Sequence, residues 1–141
     1  MNAKDLMAKA AQAAASAKVL LDTGDADGAC NRAYYAMFDA SRAALLASGA
    51  PVEPEIARTH GGLISAFSLH LVKTGRVAVE LGKALNKAEE LRLVADYKGD
   101  PIEKDAAAWA VQQAQAFVTT MQATFMPKPP EDQPASTPKP F

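Results

Sequence analysis

The sequence predicts an all-α fold, and three observations carry that expectation. Alanine dominates the 141 residues, aromatic residues make up only 6%, and Gly and Pro are mostly confined to short breaks and the C-terminal end. Such a composition suits close-packed helices, because alanine has the highest helix propensity while sheets favour β-branched and aromatic residues. Apolar positions then recur every three or four residues, the spacing of one helix face. At 49% hydrophobic and 22% charged, the chain can bury one core, and its length favours a single domain.

Residues 3 to 22 read as a first helix, with Leu6, Ala10, Ala13, Ala17, Leu20 and Leu21 on one stripe. It stops at DTGDADG, where Asp25 or Asp27 can cap a second helix over residues 26 to 48. Cys30, Ala33, Tyr34, Met37, Ser41, Ala44 and Leu45 form its core side. SGAPVEPE breaks the pattern, since Gly49 suits a left-handed C-cap and two prolines cannot continue a helix. A third helix runs from Thr59 to Lys73 and ends at KTGR. The fourth, residues 77 to 96, carries Val77, Leu81, Ala84, Ala88, Leu91 and Ala95 on one stripe. Pro101 fits the entry to a fifth helix over residues 102 to 125, with Trp109, Val111, Ala114, Phe117 and Val118 among its apolar positions. Residues 1–126 thus form the expected helical domain. PKPPEDQPASTPKPF, residues 127–141, has six prolines and almost no apolar material, so it reads as a disordered tail that cannot offset its ordering entropy.

Charge and cysteine content narrow the function. A net charge of -1 with a pI near 6.1 gives no overall basic field for non-specific wrapping of nucleic acid, although a local basic site is compatible with it. A single cysteine cannot form an internal disulfide, and no leader-like or membrane-spanning run is present, so a cytoplasmic protein is expected. His60 and His70 lie ten apart, on different faces of one helix, and Cys30 has no companion, so no metal site is expected. HGG and KTGR lack the spacing of a phosphate loop, and no serine sits in a nucleophile elbow. No cofactor is implied.

What remains is a set of polar residues bordering the apolar stripes. Asn31, Tyr35 and Arg42 share a narrow sector of the second helix, and Arg92 lies beside the fourth helix's stripe with Asp96 one turn later. An exposed Arg and Asp at that spacing can simply pair, contributing about 0.2–0.5 kcal/mol without any function. Alternatively the second and fourth helices face each other, so that Asn31, Arg42, Arg92 and Tyr97 converge. Spacing leaves both readings open.

The ordered motifs NRAYYAMFDASRAALLASG, RTHGGLISAFSLHLVKTGRV and LRLVADYKGD resemble the HEPN family over residues 3 to 125. The resemblance implies an antiparallel helical bundle, usually a homodimer, often encoded beside a minimal nucleotidyltransferase in a toxin–antitoxin or defence pair. Many members are similar to metal-independent ribonucleases, with RNA (tRNA or mRNA) as the target. Their hallmark is an Arg followed four to six residues later by His; a related version places Tyr between them, open to AMP modification by the partner. Arg92 and Tyr97 match that spacing, and the His position is Gly99. The catalytic candidates are thus Arg92 and Tyr97 from the resemblance with Asp96 beside them, the binding candidates are Asn31, Tyr35 and Arg42 from their helical sector together with His60, and the resemblance makes Tyr97 the AMP-modification candidate. Loss of the His also leaves open a non-catalytic nucleotide- or protein-binding module of a nucleotidyltransferase complex.

Overall fold

The computed structural model describes residues 1–127. Those residues form α1 (Ala3–Asp22), α2 (Ala26–Ser48), α3 (Pro54–Ala57), α4 (His60–Phe67), α5 (Val79–Leu93) and α6 (Lys104–Phe125). Helices α4 and α5 each run on into a π-helical turn, Ser68–Val72 and Val94–Lys98 respectively. The tail reading falls on residues that lie, apart from Pro127, outside the described ones. Among the described residues there is no strand, and no helix is long and apolar enough to cross a membrane.

Local chemistry accounts for the helix ends. Asp25 caps α2 by accepting a hydrogen bond from the Gly28 amide at 2.8 Å. Asp27 instead accepts from the Ile102 amide at 3.0 Å and so ties the start of α2 to the segment entering α6. Gly49 closes α2 with φ 75°, the left-handed conformation that glycine adopts without steric cost. The proline-containing break holds one element the periodicity does not reveal. Pro54 opens the four-residue α3, where a missing N–H is not needed.

Helix α2 is the centre of the bundle, packing against α1, α6, α5 and α4. The short link between α1 and α2 turns them into an antiparallel pair. Both helices are rich in buried alanine, Ala10, Ala13, Ala14 and Ala17 in α1 and Ala29, Ala33, Ala36 and Ala40 in α2, which permits close helix approach. Phe67 and Phe117 stack with centroids 5.6 Å apart and join α4 to α6 inside the core. Cys30 is buried here, and burial, followed by the charge of Asp27, pushes its thiol up to about 11. That leaves Cys30 a packing residue rather than a nucleophile.

Candidate functional site

The buried face of α5 is Ala84, Leu85, Ala88 and then Arg92, so a guanidinium occupies the place where the stripe would otherwise carry another apolar residue. The Arg92 side chain is only 4% exposed. Its guanidinium carbon lies 5.1 Å from the centroid of the Tyr34 ring, 5.7 Å from Tyr35 and 5.8 Å from Tyr97, within cation–π range of all three. Its ion pair with Asp96 is long, 3.6 Å from Nη1 to Oδ2, and its buried Nε has no hydrogen-bond partner among the described residues. An unsatisfied buried donor costs about 1–3 kcal/mol, and an acceptor that reached Nε would relieve that cost.

The π turn after α5 assembles the rest. In a continuous α-helix a residue five positions on points about 140° away from its start. A π turn, hydrogen-bonded five residues apart, instead brings Tyr97 over Arg92. Asp96 is received across the bundle by Asn31, whose Nδ2 donates to its two oxygens at 3.0 and 3.4 Å. Gly99, with φ 78°, ends the turn. A side chain at Gly99 would meet open space but would be strained by the positive φ, at a cost of about 1–2 kcal/mol, so a His at this position would work against the backbone.

A histidine reaches the cluster by another route. Thr59 caps α4 by accepting from the Gly62 amide at 3.0 Å, which sets His60 at the first helical position. His60 Nδ1 lies 2.7 Å from the Tyr34 hydroxyl, and its ring packs among Tyr34, Tyr35 and Phe38 at 5.5, 5.9 and 5.2 Å. Burial lowers the His60 pKa and Arg92 lowers it further, against an opposing effect of Glu89. Tyr34 is fully buried, and burial first, then Glu89, raises its pKa well beyond the ordinary phenol range despite the nearby Arg92. Tyr34 therefore stays a phenol.

Two measurements test this corner. A Cβ on Gly62 would run into the Ile56 carbonyl oxygen and the Thr59 hydroxyl, whereas one on Gly61 would meet open space. Gly62→Ala is expected to cost about 1–3 kcal/mol and displace His60, and Gly61→Ala to stabilise by about 0.4–1 kcal/mol, as read by denaturant unfolding. The second is pH dependence. Because the folded pKa of His60 is lowered from 6.5, the unfolded chain binds that proton first, and stability falls as pH drops below 6.5 toward the folded value. Melting temperatures between about pH 7.5 and 5.5 are expected to slope less steeply in His60→Gln.

Of the residues singled out in the sequence, Asn31, Tyr35, His60, Arg92, Asp96 and Tyr97 come together. Arg42 does not join them. It stands about three turns, roughly 16 Å, along α2 from Asn31, over Phe38 at 6.0 Å and 4.0 Å from Asp39. Tyr34 and Phe38 belong to the cluster although periodicity places Tyr34 in the core. The available signal was its hydroxyl, since a buried tyrosine needs a hydrogen-bond partner. Among the described residues, no group of three or more His, Cys, Asp or Glu is placed to hold a metal ion.

The arrangement defines a class: a small antiparallel helical bundle whose central helix presents aromatic rings to a buried arginine at the end of a neighbouring helix. The chain belongs to the HEPN family, whose domain model matches residues 3–124. It is 36% identical to a UPF0332 protein of Gloeobacter violaceus over 123 residues, covering 87% of this chain and 89% of that one. A UPF0332 protein of Thermotoga maritima is 36% identical over 75% of this chain and 77% of its own. A Methanocaldococcus jannaschii protein bearing the name "Putative toxin" is 32% identical over 73% of each.

Proposed function

We propose that this chain is a HEPN toxin-like protein that cleaves RNA without a metal, works as a homodimer and is controlled by a minimal nucleotidyltransferase. The observation that carries this reading is Arg92, buried among three tyrosines with an unpartnered Nε. A guanidinium of this kind suits a phosphate, whose planar, charge-assisted contacts arginine matches better than lysine does. Tyr97, 73% exposed, is the ring of the three that can swing aside without opening the core. The toxin name of the archaeal relative supports the biological context.

In this reading the ribose 2′-hydroxyl oxygen attacks the adjacent phosphorus and the P–O5′ bond breaks, leaving a 2′,3′-cyclic phosphate and a 5′-hydroxyl. Asp96, oriented by Asn31, takes the 2′-hydroxyl proton. His60, as imidazolium, donates Nδ1–H to Tyr34 Oη and gives its Nε2 proton to the departing O5′, a protonation state inferred from the chemistry. Arg92 holds the charge that builds on the phosphoryl oxygens. Since the acid must be protonated and its pKa is lowered from 6.5, cleavage is expected to decline as pH rises through the region below 6.5.

The deciding experiment incubates purified protein with total RNA in EDTA beside Arg92→Ala. Cleavage by the first and not the second supports the reading, and cleavage that requires added metal overturns it. Dimerisation is read from sedimentation mass, and the nucleotidyltransferase from co-purification with the product of an adjacent gene. Tyr97 is the candidate for AMP modification, because it is an exposed tyrosine whose ring lies over Arg92; an intact-mass shift that survives Tyr97→Phe eliminates it. One feature favours the second reading, a non-catalytic nucleotide- or protein-binding module: the left-handed Gly99 where the family His would stand. RNA binding or partner binding without cleavage in any condition would select it.

A further inference from the structure

We infer that the groove between α1 and α2 is a track for a single-stranded segment of RNA leading to Arg92; this rests on the RNA reading above. The groove, about 400 Å³, is lined by Lys9 and Gln12 of α1 and by Arg32, Tyr35, Asp39 and Arg42 of α2, together with Asn31 at its end. Three cations and one carboxylate line it, in a chain whose overall charge is -1. The groove is therefore locally basic although the chain as a whole is not.

One carboxylate offsets only part of three cations. Asp39 is 6% exposed, and burial raises its pKa while Lys9, Arg42 and Arg32 lower it. Its approach to Arg42 is 4.0 Å, and among the described residues Lys9 and Arg32 have no ion pair of their own. Net positive charge thus faces the groove, which suits a polyanion. Arg32 and Arg42 stand about 15 Å apart along α2, a span that takes several nucleotides rather than one. Tyr35, only partly buried, offers a ring face for a base, as single-strand tracks combine backbone cations with aromatic platforms.

Continuity with the reactive cluster gives the groove its direction. Asn31 and Tyr35 line it and also touch the other site, Asn31 through Asp96 and Tyr35 through the Arg92 guanidinium at 5.7 Å. A strand lying along α2 would pass Arg42, then Tyr35, and arrive at Arg92. Arg42, which stands apart from the cluster, thereby acquires a role at the far end of the track.

The test measures binding of a labelled, unstructured RNA oligonucleotide to the full chain by fluorescence anisotropy across a salt series. Lys9→Gln/Arg32→Gln is compared with Lys83→Gln/Lys104→Gln, which removes the same charge from exposed positions outside the groove. Loss of two phosphate contacts is expected to flatten the salt slope by about 1.4 and weaken binding about 25-fold at ~0.1 M salt, with no change in the control pair. Equal affinities and slopes for wild type and the groove pair would overturn the track while leaving the RNA reading intact. A loss of the same size in the control pair would also overturn it, as a general charge effect. Absence of RNA binding by the wild type would overturn both readings. If the groove pair binds RNA normally but changes in sedimentation mass, the occupant is a second protein surface and the RNA track is wrong.

Discussion

Replacing Arg92 with alanine is expected to lower RNA cleavage by about 10²- to 10³-fold and also to cost stability through the cavity it leaves, whereas a substitution that keeps the length of the side chain is expected to change stability little. The two halves of that expectation come from the same geometry. Arg92 is 4% exposed, yet its partners are three ring faces and one 3.6 Å ion pair, and its Nε is unsatisfied. Attraction to the rings contributes about 0.5–2 kcal/mol each, and desolvation of the charge together with the orphaned donor opposes it. Asp96 keeps its bonds from Asn31 after the substitution, so no isolated buried charge is left behind. Arg92→Met, which keeps the length of the side chain and removes the charge, is expected to melt at or slightly above the wild-type temperature and to be equally inactive. Arg92→Lys is expected not to restore cleavage, because a point charge cannot replace the planar fork. Paired measurement of melting temperature and cleavage checks this; a loss of activity that merely tracks unfolding would make Arg92 a structural residue.

The opposite signature is expected at Phe117. Its ring is fully buried and stacks on Phe67 at 5.6 Å, joining α6 to α4. Phe117→Ala removes that burial and leaves a cavity the alanine-rich neighbours cannot fill, costing about 3–5 kcal/mol. For a domain of this size that corresponds to a fall in melting temperature of roughly 10–20 °C. Val19→Ala, at a side chain 60% exposed, is expected to stay within about 0.5 kcal/mol of wild type. Urea unfolding distinguishes them; a Phe117→Ala cost below that of Val19→Ala would mean that the α4–α6 contact is not part of the cooperative core.

Much of the fold was legible because local physics decides it. Gly49 and Asp25 close and open α2 with interactions that span three residues, and sequence spacing reads them directly. The site was legible only in part. Asn31, Arg92 and Asp96 could be singled out as polar residues at the border of apolar stripes, but whether they meet depends on how α2 and α5 face each other. Arg42 shares a helical sector with Asn31 and still stands apart, since sector says nothing of distance along the axis.

Sequence alone determined that the chain is a helical bundle, where α1 and α2 begin and end, and that Arg92 and Tyr97 have the spacing of the family motif. Those properties follow from period, caps and motif spacing, all local. Only the tertiary structure decided that a π turn lays Tyr97 over Arg92, that His60 reaches Tyr34 from a helix start 26 positions away, and that Lys9 of α1 joins Arg32 and Arg42 of α2 in one groove. The last two depend on packing between segments distant in the chain, and the first on a change of hydrogen-bond step inside one helix; side-chain periodicity carries no record of either.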